Sequence, residues 1–204
     1  MNLVTKPYVY CGLDTETTGT SPQSEIIQIG LYVDDELSCS YDVGHRGNFH
    51  WEAKAFEING FTFERIFNGI PVYKVDKYLE TFVLDVCQKY DCEPWQIIPV
   101  GKNVGSFDIP LVRRTFSLFS SMLSYRSLDL NALLLAQYPN DEDYQAVKIF
   151  ITERAILKVE SEGQLHDALY DAELAIRFLQ YWQGHESVLS MQQVRRVQVS
   201  TGTN

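Results

Sequence analysis

An apolar run over residues 8–13 leads directly into Asp14-Thr15-Glu16-Thr17-Thr18-Gly19. The run reads as a buried strand over 8–14 that hands two carboxylates to a Thr/Gly turn. Side chains two apart on a strand point the same way, so Asp14 and Glu16 face one side, where like charges repel. A fold avoids such a pair unless a cation sits between them. No other feature constrains the fold and its chemistry as strongly.

The rest of the chain supplies a framework for that strand. Residues 25–33 and 36–43 read as a second and a third strand, with Asp34-Asp35 as a hairpin turn. Short helices are expected over 51–58 and 62–67, around Asn59-Gly60. A helical stripe of Val72, Val75, Leu79, Phe82, Val83 and Val86 marks a helix over 72–90. A buried strand over 97–100 ends in Gly101-Lys102-Asn103. Residues 106–119 read as one helix, with Pro110 in its first turn. A strand over 126–129 precedes helices over 130–137 and 144–157. The last helix, 166–182, carries Leu169, Ala172, Leu174, Ala175, Phe178 and Leu179 on its apolar positions. Three antiparallel strands followed by alternating helices and strands give an α/β fold, a mixed central sheet flanked by helices. A length of 204 residues, 45% apolar and 22% charged, suits one such domain with a real core. The expected division is a domain over 1–185 and a polar tail over 186–204.

Composition also narrows the setting. No apolar stretch is long enough to cross a membrane, and residues 1–6 lack a signal-peptide pattern, so a cytoplasmic location is expected. Cys11, Cys39, Cys87 and Cys92 form no C-x-x-C pair and read as reduced thiols without a metal role. The net charge of −10 argues against a protein that holds a long duplex. It does not exclude an enzyme on a short or single-stranded end, where bound metal neutralises the site.

Two further acids join the first pair. Asp108 sits at the start of a helix, a position where an ordinary first-turn acid is common. Asp171 lies inside the apolar-rich last helix, and Asp167 shares its face four positions earlier. His166, five before Asp171, would lie about 140° round a continuous helix. For the two to share a site, His166 must sit in the loop before the helix, with Asp167 near its N-cap.

With these residues in place, the chain resembles the DEDDh 3′→5′ exonucleases, over roughly residues 8–182. The D-x-E motif is matched by Asp14-Thr15-Glu16, the Asn-then-Asp motif by Asn103 and Asp108, and the His-then-Asp motif by His166 and Asp171. Residues 55–62, with Asn59-Gly60, resemble the segment that packs beside the terminal nucleotide. The Asn103-to-Asp108 spacing is that of oligoribonuclease rather than of the polymerase proofreading subunit, and Lys102 stands where a histidine is frequent. The sister DEDDy class would place a tyrosine at position 167, which is Asp167.

The resemblance implies an RNase H-like exonuclease fold and metal-dependent release of nucleoside monophosphates from single-stranded 3′ ends. Phosphodiester hydrolysis needs an activated water and a stabilised leaving oxygen, which two divalent ions about 3.5–4 Å apart supply. Hard oxygen ligands from Asp14, Glu16, Asp108 and Asp171 select Mg²⁺ or Mn²⁺. His166 is the expected general base, since an imidazole titrates near neutral pH. Thr15, Thr17, Thr18 and Asn59 are expected at the terminal nucleotide, with Ile58 and Phe61 as an apolar wall. Asn103 either binds substrate or orders its loop. The rival readings are an oligoribonuclease-like enzyme on short RNA and a retired module that binds nucleic-acid ends or a replication partner. A homodimer and a polymerase, replication or repair partner are left open, as is DNA against RNA.

Overall fold

The structure, a computed structural model, describes residues 8–160 and 165–185. The expected tail over 186–204 and residues 1–6, read above for a signal-peptide pattern, lie outside the described residues. Strand β1 (Val9–Thr17) pairs antiparallel with β2 (Ile26–Asp34), which pairs antiparallel with β3 (Leu37–Gly44). Helices α1 (Ala53–Asn59) and α2 (Phe63–Asn68) lead to a two-residue strand, β4 (Ile70–Pro71), and then to α3 (Val72–Tyr90). Strand β5 (Ile97–Gly101) adds parallel to β1. After α4 (Asp108–Thr115) and α5 (Ser117–Met122), the short β6 (Leu128–Asp129) adds parallel to β5. Helices α6 (Leu130–Gln137), α7 (Asp141–Ile156) and α8 (Ala168–His185) complete the described chain. The sheet order is β4-β3-β2-β1-β5-β6, a mixed sheet with three antiparallel strands and then parallel ones, as the sequence predicts.

Alternation along β1 and β2 separates the two faces. Val9, Cys11, Leu13, Ile29 and Leu31 point into a core shared with Val75, Leu79, Val86 and Phe119 of α3 and α5. On the other face, Tyr32 joins Leu134, Val147, Ala172, Phe178 and Trp182 of α6, α7 and α8. Gly12 and Gly30 lie on this second face. A Cβ on Gly12 would meet the Ala172 carbonyl oxygen at 2.0 Å, and one on Gly30 would meet the Ala168 carbonyl carbon at 2.2 Å. Glycine opposite alanine thus lets α8 lie directly on β1 and β2, and residues 14, 16 and 171 share the end of that contact. Among the described residues, no helix is long and apolar enough to cross a membrane.

The structure departs from the sequence reading at several points. The helix expected over 106–119 is two helices, broken at the fully buried, extended Phe116. The cause lies on α3: buried Asp76 accepts from the backbone N–H groups of Leu118 and Phe119 at 3.0 and 2.9 Å and so caps α5. Strand β1 does not stop at Asp14 but continues to Thr17 through an irregularity at Glu16 and Thr17. The carboxylate pair is therefore held inside paired strand rather than released into a turn. Helix α8 begins at Ala168, two residues later than the stripe suggests, because His166 has a positive φ that no helix accommodates. Helix α7 begins earlier, at Asp141, with the Asn140 side chain accepting from Asp143 N at 2.8 Å as its N-cap.

Candidate active site

The end of β1 opens into a cleft of about 380 Å³ lined by Asp14, Glu16, Asn59, Lys102, His166 and Asp171, among others. Each wall comes from a different element. Strand β1 supplies Asp14 and Glu16 on the α8 face, and α8 supplies Asp171 from its first turn. Asp108 opens α4 on the opposite face of the sheet, where Thr15 also points. Thr15 Oγ1 donates to Asp108 Oδ1 at 2.6 Å, so the residue between the two strand carboxylates orients the third.

His166 occupies the loop before α8, with φ 70°. Its backbone N–H donates to Asp171 Oδ2 at 2.8 Å. Asp167 Oδ1 accepts from the N–H groups of Leu169 and Tyr170 at 3.2 and 3.5 Å, which makes it the N-cap of α8. Ligand atoms of Glu16, His166 and Asp171 all lie within 4.8 Å of one another.

The electrostatics follow from this crowding. Burial first, and then the charges of Asp108, Asp171 and Glu16, hold the Asp14 carboxyl well above the ordinary carboxylate range, and Lys102 opposes them. Burial pushes Glu16 up to about 8, aided most by Asp171. Burial raises Asp108 despite the Thr15 hydrogen bond, and burial raises Asp171 despite the His166 N–H. Buried carboxyls held this close favour a positive counter-charge among them. Oxygen donors from four acids, with one imidazole beside them, fit divalent cations.

The remaining expected residues divide. Ile58 is half-exposed on the cleft wall, and Thr15, Thr17 and Asn59 also line it. Asn59 reaches across to β1, donating from Nδ2 to the Thr17 carbonyl at 3.1 Å, while its Oδ1 accepts from Phe61 N at 3.1 Å. The Thr17 hydroxyl donates to the Gly19 carbonyl at 2.6 Å. Thr18 has no exposed surface, and its Oγ1 accepts from Glu25 N at 2.9 Å. Phe61 is packed with Ile27 and Ile66, under the Arg65 guanidinium at 3.8 Å. Asn103 adopts φ 59° and accepts from Asn131 Nδ2 at 3.0 Å, so it orders the loop after β5. Thr18, Phe61 and Asn103 thus do not line the cleft, and neither does Asp108, which meets it through its bond to Thr15. Lys102, Phe107 and Leu165 line it without having been singled out as site residues. Lys102 is the only Lys or Arg that does so among the described residues. Its position straight after β5, beside the D-x-E strand, was the available signal.

No protein-family model matches the sequence, and no curated protein matches it. Solved structures do. The chain is similar to cell-death related nuclease 4, with a TM-score of 0.61 and 13% identity, over 87% of this chain and 64% of that one. It is similar to E. coli ExoI in a zinc-bound complex with single-stranded DNA, with a TM-score of 0.60 and 16% identity, over 90% of this chain and 42% of that one. A 3′-exonuclease that recognises the histone mRNA stem-loop gives a TM-score of 0.56 and 14% identity, over 87% and 83% of the two chains. This chain spans less than two thirds of the first two proteins. The fold is therefore the RNase H-like fold found in 3′ exonucleases. At these identities the likeness concerns the fold alone.

Proposed function

We propose that this protein is a metal-dependent 3′→5′ exonuclease that releases nucleoside monophosphates from single-stranded DNA or RNA. The observation that carries this reading is the convergence of Asp14, Glu16 and Asp171, from β1 and α8, on one cleft that also takes His166 and Lys102, with Asp108 of α4 bonded to the cleft residue Thr15 and close enough to raise Asp14. Acids on three separate elements, each raised by burial, are not a solvated acidic face. The fold shared with 3′ exonucleases supports the same reading.

Asp14, Glu16, Asp108 and Asp171 would hold two divalent ions, Mg²⁺ or Mn²⁺. When bound, such ions lower the pKa of the attacking water and stabilise the departing 3′ oxygen. The chain's own residues do the rest. Ile58 offers an apolar surface to the terminal base or sugar, and Asn59 ties α1 against the end of β1, fixing the width of the cleft. Lys102, the only Lys or Arg lining the cleft among the described residues, faces the phosphate with a full positive charge. A ring nitrogen of His166 takes the proton of the attacking water as the new P–O bond forms and the P–O3′ bond breaks.

A degradation ladder tests this directly, using 5′-labelled DNA and RNA of several lengths with and without Mg²⁺. The expected result is stepwise shortening from the 3′ end that stops with EDTA and resumes with added Mg²⁺ or Mn²⁺. Asp14→Ala should abolish the ladder while circular dichroism stays unchanged. Full activity in Asp14→Ala, or cleavage that survives exhaustive chelation, would sink the assignment. The same ladder gives sugar and length preference, and strong preference for the shortest RNAs would select the oligoribonuclease-like form.

A further inference from the structure

Gln28 lies on β2 with 4% of its surface exposed, and its carboxamide is fully engaged. Strand register sets Glu16, Gln28 and Asp42 side by side across β1, β2 and β3. Directly opposed residues of antiparallel strands share a face, here the one covered by α8. Gln28 Nε2 donates to Asp42 Oδ1 at 3.2 Å and to Asp167 Oδ2 at 3.4 Å, and Gln28 Oε1 accepts from Ala168 N at 2.9 Å. Asp42 receives a bidentate pair from Arg65 of α2, at 2.6 and 2.7 Å. A continuous polar chain therefore runs from α2 across the sheet to the first residues of α8.

That chain ends beside a strained residue. A histidine at φ 70° occupies a sparsely populated conformation that persists only where its surroundings over-determine it. Asp171 fixes His166 from one side by accepting its N–H. The two residues that follow, Asp167 and Ala168, are fixed by Gln28. Only an amide side chain accepts from a backbone N–H while donating to two carboxylates. A glutamate here would repel Asp42, Asp167 and Glu16, and a methionine would leave the Ala168 N–H without its acceptor.

We infer that Gln28, backed by Asp42 and Arg65, is a positioning residue that holds His166 in the conformation facing the cleft. This rests on the reading of His166 as the general base, and the test separates the two claims. In Gln28→Met, turnover should fall on the order of 10²-fold, as for a base misplaced by about 1 Å, with KM for an oligonucleotide little changed. The double variant Gln28→Met/His166→Ala should turn over no more slowly than His166→Ala alone, because residues acting as one unit are not additive. Independently of activity, amide hydrogen exchange over residues 166–171 should accelerate in Gln28→Met while β1 stays protected. Multiplying losses in the double variant, a KM effect with intact turnover, or unchanged exchange over 166–171 would each overturn the positioning role. Faster exchange there combined with full activity of His166→Ala would instead remove His166 as the base and uphold the hold of Gln28 on the loop. Should Gln28→Met fail to fold, the half-buried Asp42→Asn is expected to give the same pattern at smaller amplitude, and the same results overturn the role.

Discussion

Burial raises the Glu16 carboxyl from its ordinary 4.5 to about 8, with Asp171, Asp167 and Asp108 adding to the shift. A group whose pKa is higher in the folded state favours folding while it stays protonated, and that contribution is lost as pH rises through the folded value. Without metal, Glu16 should therefore support the fold at pH 5 and oppose it above pH 8. Replacing it with an uncharged isostere removes the penalty. One pKa unit corresponds to about 1.4 kcal/mol, and discounting a shift shared among four acids leaves about 1–2 kcal/mol. Melting curves in EDTA should show Glu16→Gln and wild type converging near pH 5 and the variant melting several degrees higher at pH 8.5. On the proposed function, added Mg²⁺ should stabilise wild type more than the variant, since the ion would bind only the folded site. A difference independent of pH would contradict the charge argument. On the proposed function, the residue that would hold metal is thus the destabilising one, a trade common at functional sites.

Helix α8 shows how a helix–sheet contact sets the distances of the site. Gly12 and Gly30 leave no side chain between strands and helix, and Ala168 and Ala172 meet them. In Gly30→Ala the new Cβ falls 2.2 Å from backbone that has nowhere to retreat, so α8 must lift. The expected cost is about 3 kcal/mol, the upper end for overpacking, read as a lower denaturant midpoint, with a weaker Mg²⁺ affinity as Asp171 leaves Glu16. Gly184→Ala, with open space around it, is the neutral or slightly stabilising control. Much of this element was legible in the sequence. The spacing of Leu169, Ala172, Ala175 and Leu179 marks the helix, and the angular offset of His166 from Asp171 places it in the loop before. Local signals fail where distant chain decides. Asp76 breaks the helix at Phe116 from across the core, and no local pattern around residue 116 announces it. Gln28 reads as an ordinary interruption of an apolar strand until Asp42, Asp167 and Ala168 are brought to it by tertiary packing. The same holds for Thr18 and Phe61. Motif position put them at the substrate, and packing against Glu25 and Ile27 turns them inward.

At the scale of the whole molecule, the question is how a chain of net charge −10 would hold a polyanion. Much of its positive charge is already committed. Arg65 is paired with Asp42, Arg114 with Glu25, Arg177 with Glu173 and Asp35, and Lys89 with Asp34 and Glu36, while Lys54 and Lys77 pair along their own helices. Among the described residues, Lys102 is the only Lys or Arg lining the cleft, against three acids, Asp14, Glu16 and Asp171. Bound cations, rather than a basic track, would then carry the attraction, and the number of phosphates neutralised by protein side chains should be small. For single strands, log K falls with log salt at about 0.7 per phosphate contacted. One or two such contacts give a slope of about −1, far shallower than that of a protein lined with arginine and lysine. Fluorescence anisotropy with an oligonucleotide blocked at its 3′ end by a phosphorothioate would measure it in Mg²⁺, between about 50 and 200 mM salt. Binding should weaken only about fourfold over that range in Mg²⁺, and should collapse in EDTA, where the unneutralised carboxylates face the phosphate. Lys102→Met should flatten the slope further, by roughly the contact it removes. A slope steeper than about −4, or binding that persists in EDTA, would locate the nucleic-acid surface on cations elsewhere on the molecule. The cleft would then be the place where a strand is cut rather than the place where it is held.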